Sequence, residues 1–178
     1  MKINSIAIIG GGAWGTALAT VARRAGRDVT LWAFEAETVA AINNGHENTA
    51  FLPGIPLDEK IHATNDLGLA TGIADADAVL LATPAQHLRA TAETLATTLP
   101  PHLPAVICAK GIELESGLLM SEVARDTLPD SPLALLSGPT FATEVARRHP
   151  AAVTPPWRGA PTGKAPAAAL GTRYSPPD

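Results

Sequence analysis

The sequence predicts an α/β fold built on a doubly wound, mostly parallel sheet. Three observations carry that prediction: short apolar runs alternate with helix-period segments from residue 3 to about 154, a glycine-rich turn joins the first run to the first helix, and the composition changes abruptly at residue 155. The alternation is the pattern of βαβ units, and two full rounds of it fit one domain of ordinary size.

The first strand is expected over 3–9, followed by a helix over 13–25 that stops at Gly26, a residue able to take the left-handed conformation beyond a helix end. A second strand is expected over 29–32 and a second helix over 35–43, closed by Asn44-Gly45. Residues 48–57 contain Phe51-Leu52-Pro53-Gly54-Ile55-Pro56 and read as a loop, because the prolines interrupt any regular ladder. A short strand at 61–63, a helix over 66–73 and an uninterrupted apolar strand over 78–82 follow, then a turn at Pro84. The remaining elements are a helix over 86–99, a strand over 105–109, a helix over 117–128, a strand over 133–136, a helix over 141–148 and the opening of a strand at 151–154. Residues 155–178 hold 6 of the 16 prolines with three glycines and five alanines and almost no bulky apolar residue, so they are expected to stay disordered. Residues 1–154 are therefore expected to form the domain, and 155–178 a Pro/Ala/Gly-rich tail.

Composition excludes several functions. Thirteen Lys+Arg against 17 Asp+Glu give a net charge of −4, the wrong sign for coating nucleic acid. No apolar run reaches the roughly 18 residues of a membrane span, and the first residues lack the ordered segments of a secretory signal. The lone Cys108 excludes an internal disulfide framework and a multi-cysteine zinc site, which makes a reducing cytoplasm the expected location. Among the five histidines no pair is spaced for a helix-borne zinc site, and no G-x-S-x-G elbow occurs. Asp75 and Asp77 read as turn residues. The stretch 159–165 superficially suggests a phosphate loop, but it has three residues between its glycines where four are needed and Ala165 where Ser or Thr is required.

The chemistry concentrates in Gly10-Gly11-Gly12-Ala13-Trp14-Gly15, which satisfies G-x-G-x-x-G directly after a strand and at the start of a helix, the Rossmann-type context. Gly10 permits the tight turn, Gly12 leaves room for a pyrophosphate, and Gly15 lets the helix lie close to the sheet. An anion there would rest on the free N–H groups and positive dipole end of the helix beginning at Ala13. Glu35, at the end of the second strand, is the candidate acceptor of the adenosine-ribose hydroxyls; its carboxylate would repel a 2′-phosphate and argues for NAD over NADP. A side chain decorating the first turn of the next helix is the other reading of Glu35. Lys110 falls at the carboxyl end of a strand, where it can hold a phosphate as a point charge or simply be solvated. Ser137-Gly138-Pro139-Thr140 either caps the following helix or turns its N–H groups to an anion.

These segments together resemble the N-terminal domain of the bacterial NAD(P)-dependent glycerol-3-phosphate dehydrogenases. The matching pieces run in family order over 3–154: Gly10 to Ala19, Leu31-Trp32, His46-Glu47-Asn48 with Phe51-Leu52-Pro53, Lys110-Gly111-Ile112-Glu113, and Leu136-Ser137-Gly138-Pro139-Thr140-Phe141-Ala142 with Glu144-Val145-Ala146. The resemblance implies reversible hydride transfer between a nicotinamide and dihydroxyacetone phosphate, in the supply of glycerophospholipid precursors. It also implies that Ala13 and Trp14 contact the cofactor, that Lys110 touches cofactor and substrate, that Gly138 and Thr140 contact the substrate, and that Ala142 lies on the nicotinamide side. Phe34 and Glu35 stand where many relatives carry a basic residue that favours NADPH. The family's helical domain and its catalytic lysine, in a stretch like Leu-Lys-Asn-Val, have no counterpart here; the only lysine beyond residue 150 is Lys164. The abrupt change after Thr154 reads as a shifted frame or a misjoined end. The resulting expectation is a truncated dehydrogenase, inactive or impaired as written, with a dinucleotide-binding module needing a partner chain, or a self-associating non-functional fragment, as alternatives.

Overall fold

The computed structural model describes residues 3–67, 75–136 and 141–147. The chain order is β1 (Ser5–Ile9), α1 (Ala13–Arg24), β2 (Asp28–Trp32), α2 (Ala36–Gly45), β3 (Glu47–Asn48), β4 (Leu52–Pro56), β5 (Ile61–Thr64), β6 (Ala78–Leu81), α3 (Leu88–Ala96), β7 (Ala105–Ile107), α4 (Met120–Thr127), β8 (Leu133–Leu135) and α5 (Ala142–Ala146). Six strands form one wholly parallel sheet in the order β5-β2-β1-β6-β7-β8, the doubly wound arrangement expected from the sequence. Winding reverses between β1 and β6, so the crevice of the sheet opens at their carboxyl ends.

Strand β1 shows how the pattern becomes a core. Ile6 and Ile8 face a cluster with Leu18 of α1, Ile42 of α2 and Val145 of α5, whereas Ala7 and Ile9 face Leu88 and Leu95 of α3 and Val123 of α4. A strand covered on both faces needs no polar alternation, and its unbroken apolar run follows from that. Each fully buried Ile or Leu contributes about 1.5–3 kcal/mol. The amino end of β1 is held differently: the Asp77 carboxylate accepts hydrogen bonds from the Asn4 and Ser5 backbone N–H groups at 2.7 and 3.0 Å and from the Ser5 hydroxyl at 3.2 Å. The turn aspartate is a clamp on the central strand.

Several expectations need correction. Residues 47–56 are not a plain loop: β3 and β4 pair as an antiparallel two-stranded ribbon with an irregular register. A ribbon of two edge strands tolerates Pro53 and Pro56, which a central strand would not. The helix expected over 117–128 begins only at Met120, with Leu119 at its N-cap and the Glu122 carboxylate accepting the Leu119 N–H at 2.8 Å. The helix expected over 86–99 starts as a 3-10 turn at Ala85–His87 and runs as α3 to Ala96. Glu35 precedes α2 rather than opening it. The strand readings at 3–9, 78–82, 105–109 and 133–136 shorten to β1, β6, β7 and β8, and the helix over 13–25 to α1. Most of the expected 66–73 helix, the segment 137–140 with Gly138 and Thr140, the end of the last helix, the strand at 151–154 and the tail lie outside the described residues. No helix among the described residues is long and apolar enough to cross a membrane.

Candidate functional site

A cleft of about 910 Å³ opens at the carboxyl ends of β1, β2, β6 and β7, a volume suited to a small-molecule ligand. Gly10, Gly12, Ala13, Trp14, Phe34, Glu35, Lys110 and Ala142, separated by up to 132 positions in the chain, all line it. Among the nine described residues of the expected site, Gly15 alone does not, being buried in the first turn of α1.

The glycine turn explains this division. Gly10 has φ +129°, and a Cβ there would sit 2.6 Å from the Ala82 carbonyl oxygen leaving β6. A Cβ on Gly15 would lie 1.8 Å from the Gly10 carbonyl oxygen, so α1 rests directly on the turn. A Cβ on Gly12 would meet nothing within 4 Å. The open space of the turn is therefore at Gly12. Helix α1 has 12 residues, no acidic residue in its first turn and, among the described residues, no side-chain hydrogen bond to its N-cap. Its first N–H groups lack intrahelical partners by geometry and carry the positive end of the helix dipole.

Electrostatics of the cleft come from few groups. Glu35 is exposed at the N-cap of α2 without a side-chain capping hydrogen bond, and beside it Phe34, 78% exposed, meets Trp32 edge-to-face at 6.4 Å between centroids. Lys110 is exposed just beyond β7. The loop after it is tied down by Glu113, which is bound by Arg89 of α3 through Nε at 3.0 Å and Nη2 at 2.9 Å and by the Ser116 hydroxyl. The Arg89 guanidinium and then the Ser116 hydroxyl hold the Glu113 carboxyl below its ordinary range. Cys108 lines the cleft floor but is 2% exposed, and burial pushes its thiol well above the ordinary range, so it stays protonated and is no nucleophile. No group of three or more His, Cys, Asp or Glu side chains among the described residues could hold a metal ion.

Three contributors escaped the sequence reading. Thr83, two residues beyond β6 and opposite Gly10, is 4% exposed, and its hydroxyl has no hydrogen-bond partner among the described residues. His87, in the 3-10 turn before α3, lines the cleft, although its spacing from the other histidines carries no signal. Both sit where the rule of strand carboxyl ends points, once β6 is known to neighbour β1. Asn48, fully buried in the ribbon, reaches the glycine turn. Asn48 belongs to one of the segments that carry the family resemblance, but nothing in the local pattern around it shows that burial.

Known proteins place the architecture. Relatives named glycerol-3-phosphate dehydrogenase [NAD(P)+] are 56% identical over 171 residues in Rhodospirillum rubrum, covering 96% of this chain and 48% of that protein, and 55% identical in Paramagnetospirillum magneticum, covering 96% and 61%. The chain thus spans about half the length of the curated relatives it matches. A crystal structure of glycerol-3-phosphate dehydrogenase from Coxiella burnetii superposes with a TM-score of 0.77 at 32% identity, over 85% of this chain and 46% of that one. Residues 5–157 match the family model described as NAD-dependent glycerol-3-phosphate dehydrogenase N-terminus, and the chain belongs to that family.

Proposed function

We propose that this chain is the dinucleotide-binding half of an NAD(P)-dependent glycerol-3-phosphate dehydrogenase, and that it holds NAD(H) in preference to NADP(H). The observation that carries this reading is the open space at Gly12 beside closed space at Gly10 and Gly15. The buried Thr83 hydroxyl, without a partner among the described residues, supports it, since a buried polar group calls for one. The residues fit the cofactor: N–H groups at the start of α1 would hold the diphosphate, Trp14 and Phe34 would flank it, and Ala142 would border the nicotinamide. Glu35 would accept the adenosine-ribose hydroxyls and repel a 2′-phosphate.

When bound, the nicotinamide supplies or accepts a hydride. Around it, Lys110 would hold the substrate phosphate as a point charge, with Gly138 and Thr140 completing the contacts to dihydroxyacetone phosphate or glycerol 3-phosphate. The walls of the cleft would exclude water from the reacting face. No side chain of this sequence matches the family's Leu-Lys-Asn-Val lysine, and one positioned acid–base group is worth on the order of 10²–10⁴ in rate, so full turnover would need that group supplied from outside these 178 residues. The lone, buried Cys108 suits a reducing cytoplasm. Among the described residues β8 pairs on one side only, an open edge through which copies would associate.

The test is a fluorescence titration with NADH and NADPH on the 178-residue chain, followed by an assay of NADH oxidation with dihydroxyacetone phosphate. Saturable binding favouring NADH, without substrate-dependent oxidation, is expected. Absence of binding to either dinucleotide refutes the reading, and preference for NADPH refutes the role of Glu35.

A further inference from the structure

The β3–β4 ribbon ends beneath the glycine turn. Asn48, with 0% of its surface exposed, donates through Nδ2 to the Gly11 carbonyl at 2.7 Å and to the Thr16 hydroxyl at 2.8 Å, while its Oδ1 accepts the Phe51 N–H at 3.1 Å. The Thr16 hydroxyl in turn donates to the same Gly11 oxygen at 3.4 Å. The amide orientation is thus fixed by donors and acceptors on both of its ends. In a planar trans peptide the C=O of one residue and the N–H of the next point in opposite directions. Holding the Gly11 oxygen toward Asn48 and Thr16 therefore holds the Gly12 N–H on the opposite side of that peptide, away from them, at a residue whose own Cβ position is open. A freely turning 11–12 peptide could instead present its carbonyl there, and a carbonyl dipole repels an anion.

We propose that Asn48 is a positioning residue for the diphosphate: its buried amide fixes the peptide plane between Gly11 and Gly12 so that the turn presents a donor, and it makes the ribbon part of the binding site. The inference rests on the dinucleotide reading above. Asn48 touches no ligand; it acts through Gly11, and through Phe51 it also sets one wall of the cleft.

The experiment compares binding of ADP-ribose and NADH by the full chain carrying Asn48→Asp or Leu52→Ala. Leu52, 1% exposed on β4, packs in the core and pairs with Asn48 across the ribbon, so its truncation weakens the ribbon while leaving the Asn48 amide and its hydrogen-bonding groups in place. At pH 8 Asn48→Asp replaces a donor with a carboxylate oxygen facing the Gly11 carbonyl, and affinity is expected to fall about tenfold or more. Lowering the pH to 5 protonates part of the introduced carboxyl, restores a donor and recovers part of the affinity. The wild-type profile over the same range removes the contributions of Glu35, His87 and Lys110, which line the same cleft. Leu52→Ala is expected to melt at least as low while binding within about threefold of wild type. Thr16→Val, which removes the hydroxyl between Asn48 and Gly11, is expected to cost about threefold or more and serves if Asn48→Asp does not fold. Wild-type affinity in Asn48→Asp, equal losses in Leu52→Ala, no recovery at pH 5, or, in the fallback, unchanged affinity in Thr16→Val overturns the proposal. A wild-type chain that binds neither ligand overturns the dinucleotide reading instead.

Discussion

Three glycines of one turn should respond to the same methyl group in opposite ways. In Gly12→Ala the new Cβ meets nothing within 4 Å and the backbone, with φ −70°, suits any residue. The poorer N-cap and the stiffer unfolded chain nearly cancel, so stability should change by less than about 0.5 kcal/mol. The methyl occupies the space through which a diphosphate would approach, and loss of one charge-assisted hydrogen bond, about 1.5–3 kcal/mol, weakens NADH binding about 10–100-fold. Gly10→Ala places its Cβ 2.6 Å from a backbone oxygen at φ +129°, and Gly15→Ala places its own 1.8 Å from another. Strain and overpacking there should cost about 2–4 kcal/mol, which lowers Tm by about 5–15 °C in a chain of this size. Thermal melts followed by circular dichroism, paired with NADH titrations, read both quantities. A folded Gly12→Ala that binds NADH as wild type does, or a Gly10→Ala that melts as wild type does, would refute the reasoning.

Glu35→Gln should raise affinity for NADPH relative to NADH about fivefold, the scale of one solvent-screened charge pair, and parallel titrations that leave the ratio unchanged would remove the carboxylate from coenzyme choice. Asp77→Ala should destabilise the fold by about 1–2 kcal/mol, because three donors at the amino end of β1, on Asn4 and Ser5, lose their acceptor. The Asn4 N–H, then the Ser5 N–H, hold the Asp77 carboxyl below its ordinary value of 3.8. The native state thus favours the ionised form, the stabilisation is complete above that value, and it disappears as pH falls through the lower folded value. Urea melts of wild type and variant should consequently keep their full gap above about pH 5 and draw together progressively as pH falls below about 4, and a gap that stays constant down to acid unfolding contradicts the clamp. Cys108 should resist iodoacetamide at pH 8 in the native protein and react once urea unfolds it; mass spectrometry showing native labelling at the rate of a free thiol disproves its burial.

The central strands were readable in advance because burial on both faces leaves an unmistakable run, as in Ala78–Leu81. The glycine turn was readable because its neighbours on either side supplied the context. The ribbon was not: two prolines in six residues spoil the ladder pattern, and only the edge position that makes them harmless, visible in three dimensions, rescues it. Helix α4 was read too long because the apolar spacing of Leu118 and Leu119 continues its pattern, although Glu122 caps it only from Leu119 onward. Glu113 belongs to the segment that carries the family likeness, yet nothing in the order of residues shows that its partner is Arg89 on a helix 24 positions earlier. Thr83 became a candidate only when β6 was seen beside β1.

The excursion at 46–57 has a bearing on how such enzymes can be re-engineered. It looks dispensable, a short flap inserted where a simple crossover would do, and grafting the loop after β2 between homologues would ordinarily ignore it. Since the flap's underside braces the turn, donor and recipient must be exchanged there as a unit, and a deletion between α2 and β5 would trim the pocket rather than the periphery.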